Sequence, residues 1–311
     1  MVDNDEMLWV EKFRPRTIED CILPEKMKES FSGMLQSGVI TNMIFKGTAG
    51  VGKTTVARAL CEQLDTDYIM LNGSGEFNME TLRTTITDFV TSVSISGKRK
   101  VIIVDESDGL PPKTQDALRS FMEAHSKNCA WIFTCNLANK IITPIHSRCS
   151  VIDFRLEKSD KPAMASKFMS RLQEILNQEN ITFDKKVLAN VVMQYFPDNR
   201  RCINELQRYS ANGSIDAGIL SKTVDTDVSD LIKTIKDKDF RAMRQWVENN
   251  SDSDMNLIYQ KMFETLLDQI NEVPQAVLIL AEGSYRDYFA VNKVLNLVAT
   301  CTELMGTISF K

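Results

Sequence analysis

Short apolar runs alternate with longer amphipathic stretches through the first half of the chain. "MIFK" (43–46), "YIML" (68–71), "VIIVD" (101–105), "WIFTC" (131–135) and "VIDF" (151–154) are apolar almost throughout. Runs this short suit strands buried on both faces of a parallel sheet. Between them, segments such as "NMETLRTTITDFVTSVS" bring Met79, Leu82, Ile86, Phe89 and Val93 back at three- and four-residue steps, the spacing of one helical face. Five strands alternating with helices predict a doubly wound α/β domain over residues 1–156.

The strand pattern stops near residue 156. "KPAMASKFMSRLQEILNQEN", "DKKVLANVVMQYF" and "NRRCINELQRYS" predict three amphipathic helices and a small helical domain over residues 157–222. The polar stretch "KTVDTDVSD" then leads into a third, all-helical region, 223–311, with "DLIKTIKDKDFRAMRQWVENN", "NLIYQKMFETLLDQI" and "NKVLNLVATCTELMGTI" as its helices. No repeat of fixed period and no low-complexity segment interrupts this order.

Composition narrows the class. Of 311 residues, 43% are hydrophobic and 25% charged, the balance of a globular protein with a real core. No stretch approaches the length of a membrane span, and "MVDNDEMLWV" has neither the basic start nor the apolar centre of a signal peptide, so no membrane partner is expected. Seven scattered cysteines without a Cys-x-x-Cys pair, and only His125 and His146, disfavour structural zinc and disulfides and suit a reducing cytoplasm. A net charge of −5 disfavours nucleic-acid binding through bulk charge. A nucleic-acid contact would need a local patch or an assembly.

"GTAGVGKTT" (47–55) fits G-x-x-x-x-G-K-[ST], directly after a predicted strand and at the start of a predicted helix. Glycines let backbone N–H groups turn inward around phosphate oxygens at a helix N-terminus, which assigns Gly50, Val51, Gly52, Lys53, Thr54 and Thr55 to a nucleotide. Lys53 reaches the β- and γ-phosphates of ATP and the Thr54 hydroxyl ligates Mg²⁺. "KVIIVDESD" (100–108) ends a buried strand on two carboxylates, where α/β folds bind ligands. Asp105 is expected to orient Mg²⁺ and Glu106 to polarise the attacking water. Asn136, closing "WIFTCN", has two readings of equal weight: a group that orients that water or touches the γ-phosphate, and an amide that merely turns the chain.

"WVEKFRP" (9–15), the phosphate loop, "VIIVDESD", "FTCN", "SRC" (147–149) and "FPDNRRCINEL" (196–206) occur in that order. The set closely resembles the AAA+ sliding-clamp loader ATPases, the small subunits of replication factor C and of its tailed-phage counterpart. The resemblance covers the first 220 residues, and the phage branch fits best. It implies an ATP- and Mg²⁺-dependent ATPase with an AAA+ domain, a helical lid and a helical collar. Its partners would be a sliding clamp and primer–template DNA, and its assembly five-membered, with four copies of this chain and one different subunit. For a phage protein the compartment would be the cytoplasm of the bacterial host. By the same resemblance Val10, Glu11, Lys12 and Phe13 line the adenine site with Ile22 nearby, and Arg200 is the lid sensor touching the γ-phosphate, ahead of its neighbour Arg201. Phe13 stands where the family more often has tyrosine, and Thr48 and Ala49 stand where its phosphate loop has prolines. Arg148, in "HSRC" (146–149), is expected at the N-terminal edge of the fifth strand, away from its own phosphate loop. In an arc of identical subunits that edge faces the next subunit's ATP, and there Arg148 would act as a finger.

For DNA the resemblance points to helix N-termini and basic residues after the second and third strands: Arg83, Lys113 and Thr114, in contact with phosphates rather than bases. "SGKRK" (96–100) is the most basic run, but it reads first as a solvated turn before a strand. Gln115 has two readings as well, a link from DNA to the carboxylates and an ordinary surface amide. Rival functions are weaker. A helicase with a DExD box needs a second strand-bearing domain, a protein remodeller usually has an aromatic pore loop for which only Phe77 offers itself, and a non-hydrolysing scaffold would not keep Lys53, Asp105, Glu106 and Arg148.

Overall fold

The computed structural model describes residues 8–75, 77–94, 97–210, 213–215, 228–251 and 255–311. The chain forms two compact units, Met1–Ile219 and Leu220–Lys311. "KTVDTDVSD" lies outside the described residues as far as 227.

The first unit begins with helices α1 (Trp9–Lys12) and α2 (Glu25–Ser37) and then builds a sheet. Strands β1 (Met43–Lys46), β2 (Tyr68–Asn72), β3 (Lys100–Asp105), β4 (Cys129–Cys135) and β5 (Ser150–Asp153) run parallel in the order β2-β3-β4-β1-β5. The sequence order is thus broken between β4 and β5, where β1 inserts. The register aligns Lys46 with Cys135 and Asp153, and Asn72 with Asp105, so the C-terminal ends of the strands share one edge. Helix α3 (Lys53–Gln63) covers one face, with Phe31, Phe45, Val56, Leu60 and Ile103 in its core. On the other face pack α4 (Met79–Thr91) and α5 (Pro112–Ala124), around Ile86, Leu118, Trp131 and Phe133. Helix α4 comprises Met79–Thr81, a π turn at Leu82–Ile86 and Thr87–Thr91. The expected stripe fails at its end: the wider π turn shifts the buried face to Leu82, Ile86 and Val90, and Val93 lies beyond the helix and is exposed.

The short helix α6 (Thr143–His146) precedes β5. Beyond β5 come α7 (Lys161–Gln178), α8 (Lys185–Tyr195) and α9 (Asn199–Ser210). Two short strands absent from the sequence reading, β6 (Thr182–Phe183) and β7 (Ser214–Ile215), pair in parallel among them.

The second unit is a bundle of α10 (Val228–Lys236), α11 (Phe240–Asn249), α12 (Met255–Leu266), α13 (Val273–Phe289) and α14 (Lys293–Thr307). Its core includes Leu231, Met243, Met262, Leu280, Leu297 and Leu304. The single helix expected over "DLIKTIKDKDFRAMRQWVENN" is two. Lys238 takes a left-handed φ of 53°, and the Asp239 carboxylate accepts from the Ala242 N–H at 2.9 Å to cap the second. Helix α13 is missing from the periodicity reading because it is apolar on more than one face: Ile279 and Leu280 are buried while Leu278 is exposed.

Candidate active site

The C-terminal edge of the sheet opens into a cleft lined by the phosphate loop, the ends of β3 and β4, the N-terminal segment and the lid helices α7 and α9. Gly50 (φ 74°) and Gly52 (φ 93°) hold the left-handed backbone that turns the loop, a conformation that side chains with a Cβ rarely adopt. Helix α3 starts at Lys53, so its unpaired N–H groups face the cleft. A Cβ on Gly50 would also sit 1.8 Å from an Asp198 oxygen, and the Asn199 N–H donates to the Gly50 carbonyl at 3.1 Å. The lid thus rests directly on the loop.

Lys53 is buried, and its ammonium donates to the Gly47 and Thr48 carbonyls, both at 2.8 Å, and to Asn136 Oδ1 at 2.9 Å. Burial pushes its pKa below the ordinary lysine value, with Cys135, Asp105 and Asp108 pulling it back. Thr54 Oγ1 donates to Asp105 Oδ1 at 2.7 Å, and Thr134 Oγ1 donates to the same oxygen. Glu106 is exposed at φ 52°, the left-handed region, with its N–H on Thr134 Oγ1 at 3.2 Å. Ser107 Oγ donates to the Thr134 carbonyl at 2.6 Å. Thr134 therefore ties the two carboxylate positions to β4. The sequence reading passed over it, although a hydroxyl inside an apolar strand was the available signal.

Of the residues assigned from sequence, Val10, Phe13, Ile22, Gly50, Val51, Gly52, Lys53, Thr54, Thr55, Asp105, Glu106, Asn136 and Arg200 line this one cleft. Glu11 and Lys12 do not. Glu11 is held by Arg14, whose hydrogen bond keeps its carboxyl below the usual range, and Lys12 pairs with Glu179 at 2.7 Å. Helix geometry accounts for this: in the single turn α1, Val10 and Phe13 share the inner face. Arg201 stacks on the Tyr195 ring at 4.7 Å, whereas Arg200 faces the cleft. Arg14, part of the quoted "WVEKFRP" but given no role, also lines the cleft and donates to Thr55 Oγ1 at 3.0 Å. Phe168, Ile175 and Ile203 of the lid were missed because their spacing reads only as helix core; they widen the apolar end formed by Val10, Phe13 and Ile22.

A cleft with a cationic, N–H-rich end and an apolar end fits a nucleotide. Among the described residues no group of three or more His, Cys, Asp or Glu is placed to hold a metal ion by itself. The Thr54 hydroxyl and Asp105 carboxylate fit Mg²⁺ carried in with phosphate, since that ion needs few protein ligands.

Other assignments lie elsewhere. Arg148 is outside the cleft; its carbonyl accepts from Asn42 Nδ2 at 3.3 Å just before β1, at the opposite edge of the sheet. Arg83 and Lys113 are exposed. Thr114, by contrast, is buried, and its N–H donates to the Pro111 carbonyl at 3.0 Å. Gln115 is not a surface amide. It is buried, donates to the Leu110 and Lys140 carbonyls at 3.0 Å and accepts from the Ile142 N–H at 2.9 Å. "SGKRK" is no free basic patch either: Arg99 Nη2 holds the Ser126 and Cys129 carbonyls, both at 2.6 Å, and Lys100 holds the Phe89 and Ser92 carbonyls at 2.5 and 2.7 Å. Phe77 is buried in the core rather than offered as a pore residue.

Residues 43–157 match the model of the AAA family of ATPases associated with various cellular activities, and residues 160–221 match that of the sliding-clamp-loader large subunit AAA+ ATPase lid domain. The sliding-clamp-loader large subunit of Enterobacteria phage T4 is 36% identical over 100% of this chain and 99% of its own. That of Escherichia phage RB69 is 39% identical over 86% and 85%. The replication factor C small subunit of Methanothermobacter thermautotrophicus is 30% identical over 89% and 90%. The phage relatives are thus named large subunits and the archaeal one a small subunit. Among solved structures, a RuvB mutant from Thermotoga maritima superposes with a TM-score of 0.55 over 71% of this chain and 79% of that one, at 16% identity, a likeness of fold alone.

Proposed function

The chain belongs to the AAA+ sliding-clamp-loader ATPases, and from that premise we propose that it uses ATP to place a sliding clamp on primer–template DNA, in a five-membered ring with one different subunit. It is a P-loop enzyme that hydrolyses ATP, and it acts in DNA replication. The observation that carries the proposal is the division of the sheet. Lys53, Thr54, Asp105, Glu106 and Asn136 meet at one edge, and Arg148 stands at the other. Such a site is completed by a second copy, which ties hydrolysis to assembly.

In this reading the phosphate-loop N–H groups and Lys53 bind the β- and γ-phosphates, Lys53 giving up its neutral acceptors for charged ones. Thr54 and Asp105 would hold Mg²⁺, which would neutralise phosphate charge. The Glu106 carboxylate orients the attacking water and takes its proton, and Asn136 fixes the γ-phosphate side. Arg200 reads the γ-phosphate from the lid in cis, and Arg148 reads it from the neighbouring chain. Exposed Arg83 and Lys113 contact DNA phosphates. The place of action is the host cytoplasm.

The test is ATP turnover by the reconstituted complex, with and without primer–template DNA and the matched clamp. Stimulation by both is expected. Stimulation by unfolded protein alone would make the chain a remodeller, and processive unwinding would make it a helicase or branch-migration motor.

A further inference from the structure

Arg148 is a held side chain. Its Nε donates to Glu123 Oε1 at 3.1 Å, its Nη2 donates to the same oxygen, and its Nη1 donates to the Pro144 carbonyl at 2.6 Å. Glu123 belongs to the last turn of α5 and Pro144 to the first turn of α6. The backbone is anchored as well: Asn42 donates to the Arg148 carbonyl and accepts from the Trp131 N–H of β4 at 3.1 Å. A guanidinium has five N–H groups. Nε–H and one N–H of Nη2 go to Glu123, and one of Nη1 goes to Pro144. One N–H of Nη2 is left, and the second of Nη1 donates to the exposed Ser147 Oγ at 3.2 Å, a long bond that a phosphate oxygen can displace. Such a pair is the fork with which arginine takes two oxygens of a phosphate.

We propose that Glu123 is a positioning residue for ATP hydrolysis in the neighbouring chain, clamping the Nε side of Arg148 so that its terminal fork meets the neighbour's phosphates. The inference rests on the reading of Arg148 as acting across a subunit boundary. Glu123 touches no reacting atom. Its contribution is to remove the rotamer freedom of a long side chain before the fork engages. An exposed ion pair adds little to folding, so the contact registers in rate rather than in stability.

The test uses the loader reconstituted from this chain and its partner subunit, with ATP and primer–template DNA. Glu123→Ala is expected to lower kcat about ten- to a hundredfold, with KM for ATP unchanged. Glu123→Gln, which keeps a neutral acceptor of the same shape, is expected to fall between, and it answers the question if the alanine variant does not assemble. ATP binding by the isolated chain should not move. In an Arg148→Ala background the same substitutions should cost nothing further, because residues acting as one unit do not add. An unchanged or raised kcat in the Glu123 variants overturns the inference, and so does an equal loss in both backgrounds. If Arg148→Ala alone leaves kcat of the complex unchanged, the finger reading itself fails and this inference falls with it.

Discussion

The two compact units bury polar groups in opposite ways. In the first, Lys53 at the start of α3 and Thr134 near the end of β4 are buried beside a cleft, and Lys53 is held only by uncharged acceptors that a phosphate can replace. In the second, Tyr259, Asn296, Thr300 and the Gly283 carbonyl bond one another, while the buried Asp287 has an Oδ1 without a hydrogen-bond partner. Asn296 Nδ2 donates to Tyr259 Oη at 3.0 Å and to the Gly283 carbonyl at 2.9 Å, and Thr300 Oγ1 donates to the Asn296 carbonyl at 3.0 Å. Burial pushes the Tyr259 phenol up to about 12, so it stays a neutral hydrogen-bonding group. This unit also exposes an aromatic group, Tyr285, Tyr288 and Phe289, their rings in contact at 5.4 and 5.8 Å. The polar groups of the cleft are thus arranged to exchange partners, and those of the Tyr259 network to keep them. Substitutions in the first should change activity, and those in the second stability.

The largest expected departure comes from Arg148→Ala. Hydrolysis by the assembled complex should fall by about 10³–10⁵, equivalent to roughly 4–7 kcal/mol, while ATP binding by the isolated chain is untouched. Mixing Arg148→Ala chains with Glu106→Gln chains should restore turnover only where an intact arginine meets an intact carboxylate. An equal loss in dilute single chains and in the complex would show the first unit to be complete by itself.

The second unit is tested at Gly283. A Cβ there would lie 2.5 and 2.7 Å from Thr300 Oγ1 and Cγ2 and 3.1 Å from Tyr259 Cε1. Gly283→Ala should therefore destabilise this unit by about 1–3 kcal/mol, as overpacking does in a tight core. Urea unfolding should register the loss, with ATP affinity unchanged. A parallel fall in ATP affinity would break the contrast between the units.

The same contrast decided what the sequence could reveal. Phosphate chemistry demands particular residue types at fixed spacing, so Lys53, Thr54 and Asp105 were legible one by one and the structure brings them together. Apolar burial demands only a class of residue at a period. Helix α13 escaped because it is apolar on more than one face, and the break at Lys238 because a left-handed lysine leaves no compositional mark. The π turn in α4 moved the buried stripe off Val93 for the same reason. Gln115, Arg99 and Lys100 looked available because their residue types usually face solvent. Each is instead spent inside the chain, on carbonyls that lie far off in sequence or at the end of a helix.

A smaller effect separates charge on the surface from charge in the cleft. The chain is acidic, at −5 overall, so the proposed DNA contact would fall to local donors such as Arg83 and Lys113. Replacing either with alanine should reduce the slope of log affinity against log salt by about 1 for each copy of the chain that makes the contact, since each lost phosphate contact releases one counterion fewer. ATP affinity should stay constant. A slope unchanged in the double variant would place the DNA contact elsewhere.

The smallest effect is one of pH, and it turns on Lys53 holding a charge among neutral groups. Burial depresses its pKa relative to an ordinary lysine. The protonated form is the one that attracts phosphate, so ATP affinity should begin to fall at a lower pH than the titration of an exposed lysine would allow. Folding responds with the opposite sign. Between the depressed value and the ordinary one, the unfolded chain binds more protons than the folded chain, so stability rises with pH across that window. The favourable contribution is full above the unfolded value and is gone once pH has dropped through the folded one, which makes the buried charge a net cost at neutral pH. Lys53→Met should therefore abolish ATP binding yet raise the thermal midpoint slightly at pH 7, and it should erase the alkaline rise in stability. A variant less stable than its parent at pH 7 would mean that the bonds to Gly47, Thr48 and Asn136 outweigh the desolvation of the charge, and that this cleft too is built to keep its partners.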